Sequence, residues 1–104
     1  MMTIEELTGL MHQFVEKQGW YAENTPRPQT LRNLAISLTL EASEVLEHFQ
    51  WGENDFDSDS LSQELADVAL YLLQIASIAG INLEQAILHK LERNYHRKWD
   101  DNKS

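Results

Sequence analysis

Cysteine is absent from the 104 residues, so neither a disulfide nor a thiolate metal site is available. Proline occurs only at Pro26 and Pro28, and glycine only four times. With breakers so sparse, and both prolines in one short stretch, most of the chain is free to form long regular elements. Bases are also scarce: 8 Lys and Arg stand against 17 Asp and Glu, for a formal net charge of −9. Phosphate neutralisation supplies most of a nucleic-acid binder's affinity, so this balance argues against direct DNA or RNA binding. No run approaches the roughly 18 apolar residues of a membrane span, and the first residues lack the basic, apolar pattern of a signal peptide. The expectation is a cytoplasmic protein with no membrane partner.

What is present reads as globular. Apolar residues make up 42% of the chain and charged ones 24%, too apolar for disorder, and residues 1–104 suffice for one domain with a single modest core. Four helical segments follow from periodicity and end signals. Thr3 with Glu6 is a capping-box pattern, Ile4, Leu7, Met11 and Phe14 keep helical spacing, and Gly19 is a stop. Trp20 to Gln29 reads as a loop, and Thr30 caps a second helix from Leu31 to about Gln50, ended by Gly52. After the acidic connector "ENDFDSDS", Ser60 and Gln63 form a capping-box pattern for a third helix that Gly80 ends. Asn82 caps a fourth helix running to about Trp99. No strand-like alternation or internal repeat is visible. The expected fold is all-α, four helices in one bundle. Helices two and three are apolar over much of their circumference, which predicts packing against a second subunit as well.

Acids collect on two flanks. At about 100° per residue, Leu31, Leu34, Leu38, Ala42, Val45 and Phe49 form the inward stripe of the second helix, and Glu41, Glu44 and His48 border it. Glu47 points further toward solvent. On the third helix, Leu61, Leu65, Val68, Leu72 and Ala76 form the stripe, bordered by Glu64, Asp67 and Tyr71. Antiparallel neighbours would bring four carboxylates together, and two unit charges 4 Å apart cost roughly 4 kcal/mol at the effective dielectric of a protein surface. Such a cluster protonates, splays apart or binds a cation. Carboxylates without cysteine favour hard cations, Mg²⁺ with Mn²⁺ as a substitute. The plain alternative is that acidic pairs are common on amphipathic helices.

Lys90, Asn94 and Arg97 fall at i, i+4 and i+7, on one face of the fourth helix. Two cations and an amide there suit phosphate oxygens, although bases near a helix C-terminus also stabilise its dipole unaided. Trp20, Trp51 and Tyr71 can either stack on a nucleobase or simply pack. His12, His89 and His96 read as surface residues. No Gly-rich phosphate loop, nucleophile elbow or zinc-protease motif is present. A di-iron carboxylate bundle would need Glu-x-x-His pairs on two helices, which this chain does not supply.

"LEASEVLEHFQW", then "QELADVALYLLQIA", then "INLEQAILHKLERNYHRKW" resemble the MazG-like all-α nucleoside triphosphate pyrophosphohydrolases, nearest the small dCTP-pyrophosphatase-like branch. The resemblance runs from about Leu31 to Trp99, with a weaker echo from Phe14 to Trp20. It implies that Glu41, Glu44, Glu64 and Asp67 hold Mg²⁺; a carboxylate not fully committed to metal could then take a water's proton, and Glu41 is the candidate general base. It also implies that Lys90, Asn94 and Arg97 contact the triphosphate or sugar, and that Trp20, Trp51 and Tyr71 form a base pocket. The implied reaction cleaves dCTP-like or non-standard triphosphates to monophosphate and pyrophosphate, for nucleotide-pool housecleaning, in a homodimer or homotetramer with sites near the subunit interface. A non-catalytic nucleotide-sensing or protein-interaction module on the same fold is the alternative. Two departures stand out. The loop from Tyr21 to Leu31 is longer than in that branch, and Met11, followed by His12, replaces a base-pocket histidine.

Overall fold

A computed structural model describes residues 1–99, which form four α-helices and no strand. They are α1 (Ile4–Lys17), α2 (Leu31–Glu47), α3 (Ser58–Ile78) and α4 (Leu83–Tyr95). The capping box of α1 is as expected: Glu6 N–H donates to Thr3 Oγ1 at 3.0 Å, and Thr3 N–H donates to Glu6 Oε1 at 2.8 Å. Thr30 and Asn82 cap α2 and α4 in the same manner, accepting from the backbone N–H of Asn33 and Gln85. Gly19 and Gly80 sit at φ +80° and +74°, where a β-carbon is disfavoured. At each, the next residue's N–H reaches back into the helix, Trp20 to the Val15 carbonyl at 3.2 Å and Ile81 to that of Ala76 at 2.8 Å. The first of these turns sets Trp20 edge-on against Phe14, with ring centres 5.7 Å apart.

Three boundaries differ from expectation. Helix α2 stops at Glu47, because His48, Phe49 and Gln50 switch to tighter bonds three residues back, and Phe49 turns to pack on Phe56 at 5.5 Å. Helix α3 begins one turn early, since Asp57, not Ser60, is its cap: its Oδ2 accepts from Ser60 N–H at 2.9 Å. A carboxylate is a strong acceptor at a helix N-terminus, and the Ser60 hydroxyl and backbone N–H hold its pKa below the ordinary value. Helix α4 ends at Tyr95, where Trp99 folds back and its indole N–H donates to the Asn94 carbonyl at 3.2 Å.

Helix α2 packs along α3, and α1 lies on the latter half of α3. Met11, Val15 and Leu73 form the buried centre, with Ile4, Trp20, Tyr21 and Leu83 against it. Helix α4 turns away from α3 by 103° and buries none of its residues. The result is extended. Its radius of gyration is 16.9 Å, against about 13 Å for a compact domain of this length. The accessible surface is 8360 Å² for 12.1 kDa, where a folded monomer exposes roughly 6,000 Å². Much of the excess is apolar: Leu40, Leu46, Leu65, Leu72, Ile87 and Leu88 all stand exposed. Among the described residues no single helix is long and apolar enough to cross a membrane.

Candidate metal and nucleotide site

The lengthwise pairing of α2 and α3 sets the acidic flanks face to face. Glu41, Glu64 and Asp67 each offer a carboxylate oxygen, and these oxygens lie within 4.8 Å of one another. Glu41 and Glu64 are half-buried, while Asp67 is exposed. Glu44 stands outside that trio but within hydrogen-bonding reach of Glu64.

Crowding governs the protons. The Glu64 carboxylate beside Glu41, then burial, then repulsion from Glu44 and Asp67, pushes the Glu41 carboxyl up to about 7. Glu44 is also raised, chiefly by Glu64. Glu64 is lowered, because Glu41 and Glu44 both donate to it. His48, which borders the flank as its spacing predicts, places Nε2 3.7 Å from Glu64 Oε1. In the metal-free cluster, therefore, the negative charge settles on Glu64, and Glu41 holds its proton up to about pH 7.

The donor set fits a hard divalent cation. Glu41 Oε1 is buried with no hydrogen-bond partner, an arrangement that costs free energy unless something is bound there. All the available donors are carboxylate oxygens, at a density suited to Mg²⁺ or Mn²⁺.

Beside the carboxylates, α1, α2, α3 and the 26–29 loop enclose a cavity of about 560 Å³, walled by Phe14, Trp20, Leu70 and Tyr71 and reaching Asp67. Two of the three expected base-pocket aromatics, Trp20 and Tyr71, thus line one cavity next to the acids. Trp51 does not line it; it is 82% exposed in the turn after α2. Arg27 lies over the Trp20 ring, 4.3 Å from its centre.

A polar network that touches the cavity through Gln29 and Gln74 escaped sequence reasoning. Gln74, Tyr21, Gln29, His12 and Ser77 are joined by hydrogen bonds of 2.6–3.1 Å. His12 is half-buried within it and not a surface residue. Burial pushes the Tyr21 hydroxyl up, so it stays neutral and able to donate.

Lys90 and Asn94 lie one turn apart on α4, but Arg97 falls past the helix end, in a turn where its N–H donates to the Asn94 carbonyl at 3.3 Å, so the expected helix face does not extend to it; all three still line a surface cavity of about 800 Å³. Asn94 Oδ1 is buried without a partner, and Arg97 stacks on Trp99 at 4.0 Å. The protomer does not link this face to the acids. Among the described residues no hydrogen bond or ion pair joins Lys90, Asn94 or Arg97 to Glu41, Glu44, Glu64 or Asp67, and the one ion pair is that of His48 with Glu64.

Comparison with known proteins agrees with this architecture. The structure of a pyrophosphatase from Archaeoglobus fulgidus superposes with a TM-score of 0.72 and 33% sequence identity, covering 89% of each chain. Human dCTP pyrophosphatase 1 is 30% identical over 91% of this chain, and the Bos taurus protein 29% over the same share. The chain spans 58% of the human protein's length and 59% of the Bos taurus protein's. A profile of the MazG-like family matches residues 36–104, taking in both acidic pairs and the α4 face. With its all-helical framework and its acid-bearing helices inside that match, the chain belongs to the MazG-like family.

Proposed function

We propose that the chain is a divalent-cation-dependent nucleoside triphosphate pyrophosphohydrolase that releases monophosphate and pyrophosphate. The observation that carries this reading is the position of Asp67, a member of the carboxylate trio that also reaches the aromatic cavity. A planar base held between Trp20 and Tyr71 would direct its phosphates toward the oxygen donors. The relatives named for dCTP support a dCTP-like substrate; action on non-standard triphosphates and housecleaning of a cytoplasmic nucleotide pool are part of the same proposal.

Glu41, Glu44, Glu64 and Asp67 would hold the cation, Mg²⁺ or in its place Mn²⁺. When bound, such a cation neutralises the polyphosphate and acidifies a water molecule. Glu41, as the carboxylate not fully committed to the cation, is the group that would take that water's proton. Lys90 and Arg97 would stabilise charge developing on the phosphoryl oxygens, and Asn94 would contact the sugar or phosphate. Trp51 would close over the base from the end of α2. Because α4 leads away from its own bundle, a second copy of the chain would bring these groups to the acids, in a homodimer or homotetramer. The apolar area left open on α2, α3 and α4 supports that assembly.

The test is incubation with each common deoxynucleoside triphosphate and Mg²⁺. Turnover that is lost in Glu44→Ala and Asp67→Ala is the expected result. Binding without turnover of any triphosphate would instead favour the non-catalytic, nucleotide-sensing use of the same fold.

A further inference from the structure

Gln74 is the one polar side chain in the buried core among the described residues, 3% exposed, and it lines the aromatic cavity. Its amide cannot turn freely. Gln29 Nε2 donates to the Arg27 carbonyl at 2.7 Å, which leaves Gln29 Oε1 to accept from Gln74 Nε2 at 2.8 Å. The second proton on Gln74 Nε2 goes to the Tyr21 hydroxyl oxygen at 3.1 Å. Having accepted there, Tyr21 donates its own proton to His12 Nδ1 at 2.6 Å, and His12 Nε2–H donates to Ser77 Oγ at 2.7 Å. Reversing the Gln74 amide would set its carbonyl oxygen against Gln29 Oε1, acceptor facing acceptor. Both amide protons of Gln74 are therefore already committed to protein acceptors. Gln74 Oε1 has no hydrogen-bond partner among the described residues and is not sealed from solvent.

A fixed acceptor at the edge of an apolar, aromatic cavity selects for a donor, because an acceptor placed opposite it would be desolvated and unpaired. We infer that Gln74 reads the nucleobase: its Oε1 accepts from an exocyclic amino group, so the cavity takes cytosine in preference to uracil. This rests on the cavity being the nucleobase site proposed above. Uracil places a carbonyl oxygen where cytosine carries its amino group, and the Gln29–Tyr21 clamp prevents the Gln74 amide from turning to meet it. Gln74 is thus a specificity residue, and Gln29 and Tyr21 position it.

The experiment is equilibrium binding of dCMP and of dUMP to the full chain in Mg²⁺, which needs no turnover. The wild-type protein should bind dCMP about tenfold more tightly or better, the scale of one net hydrogen bond. Gln74→Met keeps the side-chain volume and removes the acceptor, and should bring the ratio to about one. Should that variant fail to fold, Gln29→Leu frees the amide to turn and should lower the ratio in the same direction. Equal binding by the wild type, failure of both nucleotides to bind, or an undiminished dCMP preference in the folded variants would overturn the inference. Selective binding without hydrolysis of any triphosphate would leave it standing and overturn the catalytic reading instead.

Discussion

Glu41 on α2 and Glu64 on α3 face each other as proton donor and acceptor: the Glu64 carboxylate raises the first carboxyl to about 7, and the hydrogen bonds that Glu41 and Glu44 donate lower the second. A cation that enters this contact must displace the proton. Binding of Mg²⁺ or Mn²⁺ should therefore release protons at about pH 6 and progressively fewer above about pH 8. Calorimetric titration in buffers of different ionisation enthalpy reads that release directly. An identical, negligible release at both pH values would contradict the shared-proton geometry.

The same pair sets how the metal-free protein responds to pH. Glu41 has a raised pKa in the folded state, so its contribution to stability is fully present below its unfolded value and is lost as pH rises to about 7. Glu64, lowered, acts in the opposite sense and only below the ordinary carboxylate range. The melting temperature without metal should fall between about pH 5 and about pH 7.5, and saturating Mg²⁺ should remove the fall. A metal-free melting temperature that rises across that window would be inconsistent with the cluster described.

Glu41→Gln separates chemistry from folding. It leaves the helix pair intact and removes one member of a like-charged group, so the metal-free melting temperature should be unchanged or higher. Turnover should drop by about a hundredfold or more, the scale of a lost general base and metal ligand. Steady-state kinetics beside a thermal melt checks both parts. A variant with near wild-type turnover would remove Glu41 from the mechanism.

Helix α4 gives a prediction that couples assembly to activity. Ile87 and Leu88 stand exposed on α4, which also carries Lys90 and leads into Arg97. Ile87→Asp should dissociate the assembly in sedimentation and abolish turnover without touching a residue of the carboxylate cluster. By contrast, Lys90→Ala and Arg97→Ala should keep the assembly and lower kcat/KM by roughly 10- to 100-fold, as for a lost charge-assisted hydrogen bond. A wild-type mass that stays monomeric at every concentration would exclude a site completed by a second copy.

Local signals in the sequence carried far where they acted alone. Thr3 with Glu6, Thr30 and Asn82 cap their helices as their types and spacing imply. The i, i+3 acids do face one another across α2 and α3, but spacing alone made Glu41 and Glu44 equivalent. Packing distinguishes them, putting Glu41 in the trio and leaving Glu44 outside it, within reach of Glu64 and Glu41. Asp57 displaced Ser60 as a cap because either residue type serves, and the choice depends on where the connector runs. Gln74 gave no periodic signal at all. Its significance comes from partners 45 and 53 positions away, Gln29 and Tyr21, which only the packing of α1 and the 26–29 loop on α3 brings to it. The direction of α4 was equally illegible, since an amphipathic helix can bury its apolar face in its own bundle or in a neighbour.

The identity of the phosphorus products tests the central claim most directly. With dCTP and Mg²⁺, phosphorus NMR of the reaction should show the monophosphate and pyrophosphate in equal amounts, with neither formed by Asp67→Ala. Diphosphate and inorganic phosphate as the products, or no product from any nucleoside triphosphate, would contradict it.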